Sequence, residues 1–406
     1  MTATLPRSLL ALTRSNLAAQ LAEQLSLAAV PMVAVLALGA GPGEIGLLAT
    51  AQTLPFLLLS IPLGLLADRT SRKRLMVASE VLRTLALLGL LAALAGGQLS
   101  IGLLAVLGFV GAVGTVGFSV AAPALVPVLV PREALARANG RLELARSAAF
   151  AAGPALGGAL VTWAGASTAF VLAAVLSASA VALLLQLTEP QRTPAPQRHP
   201  LRELQDGARL VWSHPLLRPI LLTAVAWNIS WFVLQAAYVP YAVRLLGLNA
   251  AAVGLTLAAY GAGMVAGALL APRVVAKLPF GRAIQLGPIV SVLAALIMVA
   301  TLALPSGAVA AFAFFLFGAG PIIWTITSTT LRQTVTPGAM LGRVSAIFLA
   351  VNTGARPVGA ALGGWVGATW GEAACLVLAL AGFVVQAGLI LHSEVRQLRL
   401  LPSPSA

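Results

Sequence analysis

The sequence predicts an all-α membrane protein of twelve spans in two six-helix bundles. Three observations predict it: a shortage of charge, apolar runs long enough to cross a bilayer, and an internal repeat of half the chain. Of 406 residues, 59% are hydrophobic and 9% charged, whereas a soluble domain carries about 25% charged residues. So few charges do not cover a water-exposed surface. In lipid only helices and closed barrels satisfy their own backbone groups. A barrel would alternate in segments of about ten residues. Here runs such as Val81–Ala95 and Ala173–Leu185 read as continuous apolar stretches, which points to helices.

The spans fall at roughly 17–40, 45–67, 75–95, 100–122, 140–163, 167–187, 219–242, 251–272, 282–304, 307–329, 343–367 and 372–392. Each is about 20 residues, the length that crosses about 30 Å of hydrocarbon. The first run is too long, and with Gln20, Glu23 and Gln24 too polar, for a cleaved signal peptide. Alternating the connecting segments between sides places Arg7, Arg14, the Arg69–Arg74 cluster, Arg132, Arg137, Arg192, Arg198, Arg202, Arg209, Arg218, Arg273, Lys277, Arg282, Arg332, Arg396 and Arg399 together. Arg244 is the lone basic residue opposite, with Glu44 and Glu372. This asymmetry is the positive-inside pattern and predicts an inner (plasma) membrane protein with both termini cytoplasmic. The net charge of +14 is therefore a topology signal. It calls for contact with anionic lipid heads and for no nucleic acid partner. One cysteine, Cys375, and three scattered histidines, His199, His214 and His392, allow no disulfide framework and match no metal-ligand spacing. No cofactor is expected, and the chain is expected to act as a monomer.

Three segments follow: a six-helix half over 1–187, a linker over 188–218 and a second half over 219–406. At a spacing of 206, Pro131 and Arg137 match Pro337 and Arg343, and Gly153-Pro-Ala-Leu-Gly-Gly158 lies over Gly359-Ala-Ala-Leu-Gly-Gly364. At 208, Ile45-Gly46 matches Val253-Gly254 and Arg74 matches Arg282. A repeat of that length spans six helices and fits parallel halves related by an axis along the membrane normal. In the linker, Pro190, Pro194, Pro196 and Pro200 give way to a segment with Leu201, Leu204, Ala208, Val211 and Trp212 on one helical face. That pattern predicts a short amphipathic surface helix, chiefly a tether.

After the second span runs Gly64-Leu-Leu-Ala-Asp68-Arg69-Thr-Ser71-Arg72-Lys73-Arg74. Gly64 permits close helix approach. Asp68 is suited to accept from helix N-termini or to pair with an arginine, closing a cytoplasmic gate. The plainer alternative is a solvated basic loop that sets topology. The segment resembles the cytoplasmic loop signature of the major facilitator superfamily, with Ser71 where glycine is usual, a less free turn. The fifth span carries Gly140, Ala149, Gly153, Pro154, Gly157 and Gly158. Residues 149, 153 and 157 share a helical face and offer a smooth groove, and Pro154 can bend the span. The spacing is similar to the antiporter signature of drug-exporting members, with Ala149 in place of its second glycine. The alternative is ordinary small-residue packing, as at Gly263/Gly267 and Gly359/Gly363. Glu23…Pro31, the Gly64–Arg74 loop and Pro131-Arg-Glu-Ala-Leu-Ala-Arg-Ala-Asn139 most resemble the branch that holds macrolide exporters and the enterobactin exporter. That branch implies alternating access driven by a proton gradient. The fourth span, 100–122, lacks the arginine that drug antiporters often carry there.

Asn16, Gln20, Glu23 and Gln24 share one face of the first span. A carboxylate facing lipid costs at least a few kcal/mol, so this face should line water or protein. Glu23 is the candidate proton carrier or cation-binding carboxylate; a static hydrogen bond to a neighbouring helix is the alternative. In the seventh span Asn228, Trp231, Gln235 and Tyr238 form the counterpart, with Gln20 matching Asn228 at 208; Trp231 and Tyr238 equally fit packing or interfacial aromatics. The two faces are expected to meet across a central substrate cavity. Asn352 and Arg356, one turn apart before Pro357, join the candidates, as do Gln52 and Trp324. Arg356 needs a partner, either Glu23 or an anionic substrate group, or else it snorkels; Arg146 is expected to snorkel. The expected function is proton-coupled efflux of small amphipathic or drug-like molecules. Export of one endogenous metabolite such as a siderophore is the alternative, and a non-transporting receptor or scaffold the reading from another class. No nucleophile–base pair or metal cluster suggests an enzyme.

Overall fold

The computed structural model describes residues 7–130, 135–189, 200–337 and 340–402. Among them the regular structure is helical: α1 (Arg7–Leu38), α2 (Pro42–Arg69), α3 (Arg72–Ala95), α4 (Ile101–Leu129), α5 (Leu135–Ala164), α6 (Ala166–Leu185), α7 (Pro200–Ser213), α8 (Leu217–Arg244), α9 (Ala250–Lys277), α10 (Phe280–Ala300), α11 (Gly307–Val335), α12 (Leu341–Leu391), and a 3-10 turn at Glu394–Gln397. Eleven of these are long and apolar enough to cross a membrane. The 51-residue α12 is broken at Gly371, whose φ of 81° and ψ of 178° are not helical. At 1.5 Å per residue it would run about 76 Å, more than twice a bilayer core. Its limbs, 341–370 and 372–391, are therefore two spans, and the described chain has twelve.

The chain packs as two compact units. The first holds Met1–Ala40, Thr50–Pro196 and Leu248–Ala258; the second holds Gly41–Ala49, Gln197–Gly247 and Ala259–Ala406. Each unit thus takes a short segment from the other sequence half: unit 2 takes the start of α2, and unit 1 the start of α9. Small residues explain these loans. In unit 2 a Cβ built on Gly364 would stand 2.9 Å from the Gly46 Cα. In unit 1 a Cβ on Gly158 would stand 2.9 Å from the Gly254 Cα. Gly46 and Gly254 are repeat equivalents, as are Gly158 and Gly364. The same backbone crossing is therefore built twice from the duplicated sequence.

Within unit 1, α1 packs on α5 and α6, and α3 on α4 and α6. Its core gathers Leu9, Leu12, Met76, Phe118, Leu125 and Leu184. In unit 2, α8 packs on α12 and α10 on α11. The Gly263/Gly267 pair sits on the backbone of Phe315 and Ala319, and Gly359/Gly363 on that of Ile229 and Val233. The tether helix α7 is present, but the face it docks differs from the expected one. Val211 is buried in unit 2, and Gly207 lies with its Cα against the Arg343 backbone. Ala208 and Trp212 are exposed, and Arg218 lies 4.8 Å over the Trp212 ring. Gly207 decides this, because only a face without a side chain lets α7 come that close. The side chains of Leu201 and Leu204 lie outside the described residues.

Candidate transport site

In unit 1 the polar face of α1 divides in two. Asn16 is buried, and its Nδ2 donates to the Leu142 carbonyl of α5 at 3.2 Å. Gln24 is buried where a Cβ on Gly153 would strike its own Cβ. These two fasten α1 to α5. Gln20 and Glu23 stay half-buried. The small face of α5 receives α1 as expected: Ala149 is fully buried, and Gly157 meets Leu25 and Ala28. Gly158 faces α9 instead. Gln52 is half-buried against Gly108 of α4. Arg146 lies 5.4 Å from the Phe150 ring. The side chains of Asp68, Arg137 and Gly140, and the loop residues Pro131 and Arg132, lie outside the described residues.

The run Val81–Ala95, read as unbroken, is corrected by Arg83, which with Glu80 forms a buried ion pair in α3. Nη1 of Arg83 stands 3.0 Å from Glu80 Oε1, and the side chains are 5% and 0% exposed. Ser177 Oγ of α6 donates to Glu80 Oε2 at 2.8 Å. Arg83 donates to Thr115 Oγ1 of α4 at 2.9 Å and to the Ala19 carbonyl of α1 at 2.9 Å. A guanidinium thus reaches α4 although α4 itself has no charge. The signal was a Glu and an Arg at i and i+3 inside a span, which share a helix face.

The cytoplasmic loop signature is held by a residue sequence reasoning passed over. Glu189, just beyond α6, accepts the amides of Arg72 and Lys73, each at 3.1 Å, and the Ser71 hydroxyl. Burial pulls its carboxyl up. The bonds from Ser71, Lys73 and Arg72, with the Arg72 charge, outweigh that and hold it below the usual carboxylate range. Lys73 Nζ caps the end of α6 by donating to the Leu185 carbonyl at 2.8 Å. Ser71 is no handicap: its φ of −64° suits any residue, and its side chain accepts from the Arg74 amide as the N-cap of α3. Arg69 and Arg74 are exposed. Gly64 corrects an expectation. A Cβ there would lie 3.7 Å from Val120 Cγ1, an ordinary contact, because α2 and α4 are already a side chain apart at that level.

In unit 2 Arg356 is half-buried. Its Nε donates to Asn228 Oδ1 at 3.4 Å, and its guanidinium lies 6.0 Å from the Phe232 ring. Asn228 in turn donates to the Ala224 carbonyl at 2.9 Å. Gln235 and Asn352 are half-buried, and Asn352 Oδ1 is enclosed without a hydrogen-bond partner among the described residues. The same holds for the indole nitrogens of Trp324 and Trp227. Trp324 packs on Gly287 of α10. Trp231, expected to line a cavity, is instead 7% exposed. It is ringed by Trp227, Tyr260, Phe314 and Phe317 at centroid distances of 5.3, 4.9, 5.9 and 5.4 Å. Tyr238 is fully buried, edge-on to Phe314 at 4.4 Å. Aromatic packing accounts for both residues. The half-buried rings of the cluster are Trp227 and Tyr260.

Comparison with known proteins agrees with this architecture. The chain is similar to the enterobactin exporter EntS of Citrobacter koseri, 31% identical over 347 residues, covering 84% of this chain and 80% of the relative. Among solved structures it resembles the nucleoside transporter NupG with a TM-score of 0.79 at 11% identity, covering 95% of this chain and 99% of that one. It resembles a bacterial homologue of the iron transporter ferroportin with a TM-score of 0.71 at 19% identity, covering 95% and 99%. The family model described as Major Facilitator Superfamily matches residues 14–360. The chain is a multi-pass membrane transporter, not an enzyme, and it belongs to the Major Facilitator Superfamily.

Proposed function

We propose that the protein exports small amphipathic molecules by alternating access, coupled to proton entry, with Glu23 as the carboxylate that carries the proton. The observation that carries this reading is Glu23 itself, an ionisable group left half-buried on the polar face of a spanning helix. Such a group is costly in a membrane and is by default a pathway residue. Export is supported by relatives named enterobactin exporter at 31% and 29% identity. In this reading Gln20 and Gln52 of unit 1 and Asn228, Gln235, Trp324, Asn352 and Arg356 of unit 2 contact substrate. The loop from Gly64 to Arg74 gates the cytoplasmic side. The protein works as a monomer in the inner membrane with both termini cytoplasmic, and 188–218 tethers the halves.

The test is proton-driven uptake into inverted vesicles. Glu23→Gln is expected to abolish the pH dependence of flux and uphill transport, while exchange of substrate down its gradient survives. A Glu23→Gln protein that concentrates substrate as wild type does across the pH range would sink the coupling role. A second reading, export of an anionic endogenous metabolite such as a siderophore, is favoured by Arg356 standing against the polar Asn228. It expects Arg356→Ala to weaken affinity for an anionic substrate while leaving a neutral one unaffected.

A further inference from the structure

The Glu80–Arg83 pair is a fully desolvated ion pair in unit 1, and packing does not explain it. Two charges taken out of water are costly, and an apolar pair of equal volume commonly fills such a site as well or better. Of the helices around the pair and around Glu23, α5, which packs on α1, carries Arg137, Arg141, Glu143 and Arg146, with Arg141 and Arg146 half-buried. Over their whole lengths α4 and α6 contain no Asp, Glu, Lys, Arg or His, and α1 contains only Arg7, Arg14 and Glu23. Arg83 reaches α1 at one atom, the Ala19 carbonyl. In an α-helix that carbonyl is also the acceptor of the amide four residues on, which here is Glu23. Arg14 lies five residues the other way and is exposed. The basic Arg72, Lys73 and Arg74 start α3, two turns before Glu80.

We propose that Arg83, neutralised by Glu80, is a positioning residue for the Glu23 carboxylate, gripping the helical turn that presents it without adding net charge beside it. The inference rests on Glu23 being the proton carrier. Its consequence is electrostatic. With Glu80 made neutral, an uncompensated guanidinium remains about two helical turns or less from Glu23 and favours its ionised form. At roughly 10 Å and an effective dielectric constant of about 20, the pH of half-maximal flux falls by roughly one unit. Neutralising Arg83 as well removes that added charge and restores the wild-type midpoint.

The experiment is the pH profile of proton-driven flux in proteoliposomes for Glu80→Gln, Glu80→Gln/Arg83→Gln and Glu23→Gln. The expected result is a midpoint lowered by roughly one unit in the first, restored in the second, and no pH dependence in the third. A structural role lowers the maximal rate of the first two without moving either midpoint. If Glu80→Gln does not fold, Ser177→Ala replaces it. That variant removes the hydroxyl donated to Glu80, together with the bond it accepts from Thr84, and it should move the midpoint the same way by a few tenths of a unit. An unmoved midpoint beside a flat Glu23→Gln profile overturns this inference and leaves the carrier reading standing. A Glu23→Gln protein that keeps its pH dependence overturns both.

Discussion

A methyl group at Gly281 should unlatch the C-terminal segment from unit 2. The first amides of α10 have no helical acceptors, and the chain beyond α12 supplies them. Gly281 N–H donates to the Leu398 carbonyl at 2.7 Å and Phe280 N–H to the Arg399 carbonyl at 3.2 Å. Val395, from the same segment, is fully buried. A Cβ on Gly281 would stand 2.6 Å from the Val395 carbonyl oxygen and 2.7 Å from that of Arg396. Both obstacles are backbone and cannot swing aside. The segment must leave, and what it contributes caps the penalty. Two hydrogen bonds at about 1 kcal/mol each and a buried valine at about 2 give about 4 kcal/mol. Restored freedom of the released residues offsets part of that. Gly281→Ala in detergent should therefore speed amide exchange at 280, 281 and 395–399 by tenfold to several hundredfold. The rest of unit 2 should keep its protection. Unchanged exchange in a variant that melts as wild type does would refute the claim that the glycine exists to admit the tail.

Two further expectations concern unit 1. Glu189 has a lowered carboxyl titration, so its contribution to stability is complete above the ordinary carboxylate range and is lost as pH falls through the lowered value. The melting advantage of wild type over Glu189→Gln should be full at neutral pH and vanish in acid; an advantage that grows on acidification refutes the sign. The glycines of the two motifs should also behave oppositely. Gly153→Ala drives a Cβ into Gln24 and should cost about 1–3 kcal/mol by overpacking. Gly64→Ala, with ordinary contact to Val120, should melt within about 0.5 kcal/mol of wild type; equal losses in the two variants would contradict the packing described.

The N-termini of α3 and α10 show how the duplicated halves solve one problem with different chemistry. Arg72 and Phe280 begin these helices at the 208-residue spacing. In the first half the orphan amides are met by the Glu189 carboxylate, which follows α6. In the second they are met by backbone carbonyls that follow α12. In each half the segment leaving the sixth span closes the start of the third. A side-chain cap is a single residue and a main-chain cap has no residue identity, so the repeat in the sequence does not reveal the shared device.

What the sequence determined by itself was whatever depends on local composition and period. Twelve spans follow from apolar length and the small α5 face from spacing, and the duplicated Gly46/Gly254 and Gly158/Gly364 positions from self-comparison. The break between the last two spans falls at Gly371, inside the expected gap at 368–371. Tertiary structure alone decided which polar residues are spent on packing. Asn16 and Gln24 share a face with Gln20 and Glu23, yet α5 claims the first pair and leaves the second half-buried. Trp231 shares a face with Asn228, yet four rings from its own helix and from α9 and α11 enclose it. Arg83 and Glu80 lay in plain view within an apolar run, but their meaning required partners 32, 64 and 97 residues away. A helical pattern states which side chains share a face. Which neighbour covers that face is settled by contacts distant in the chain, and those contacts separate a fastening residue from one left half-buried.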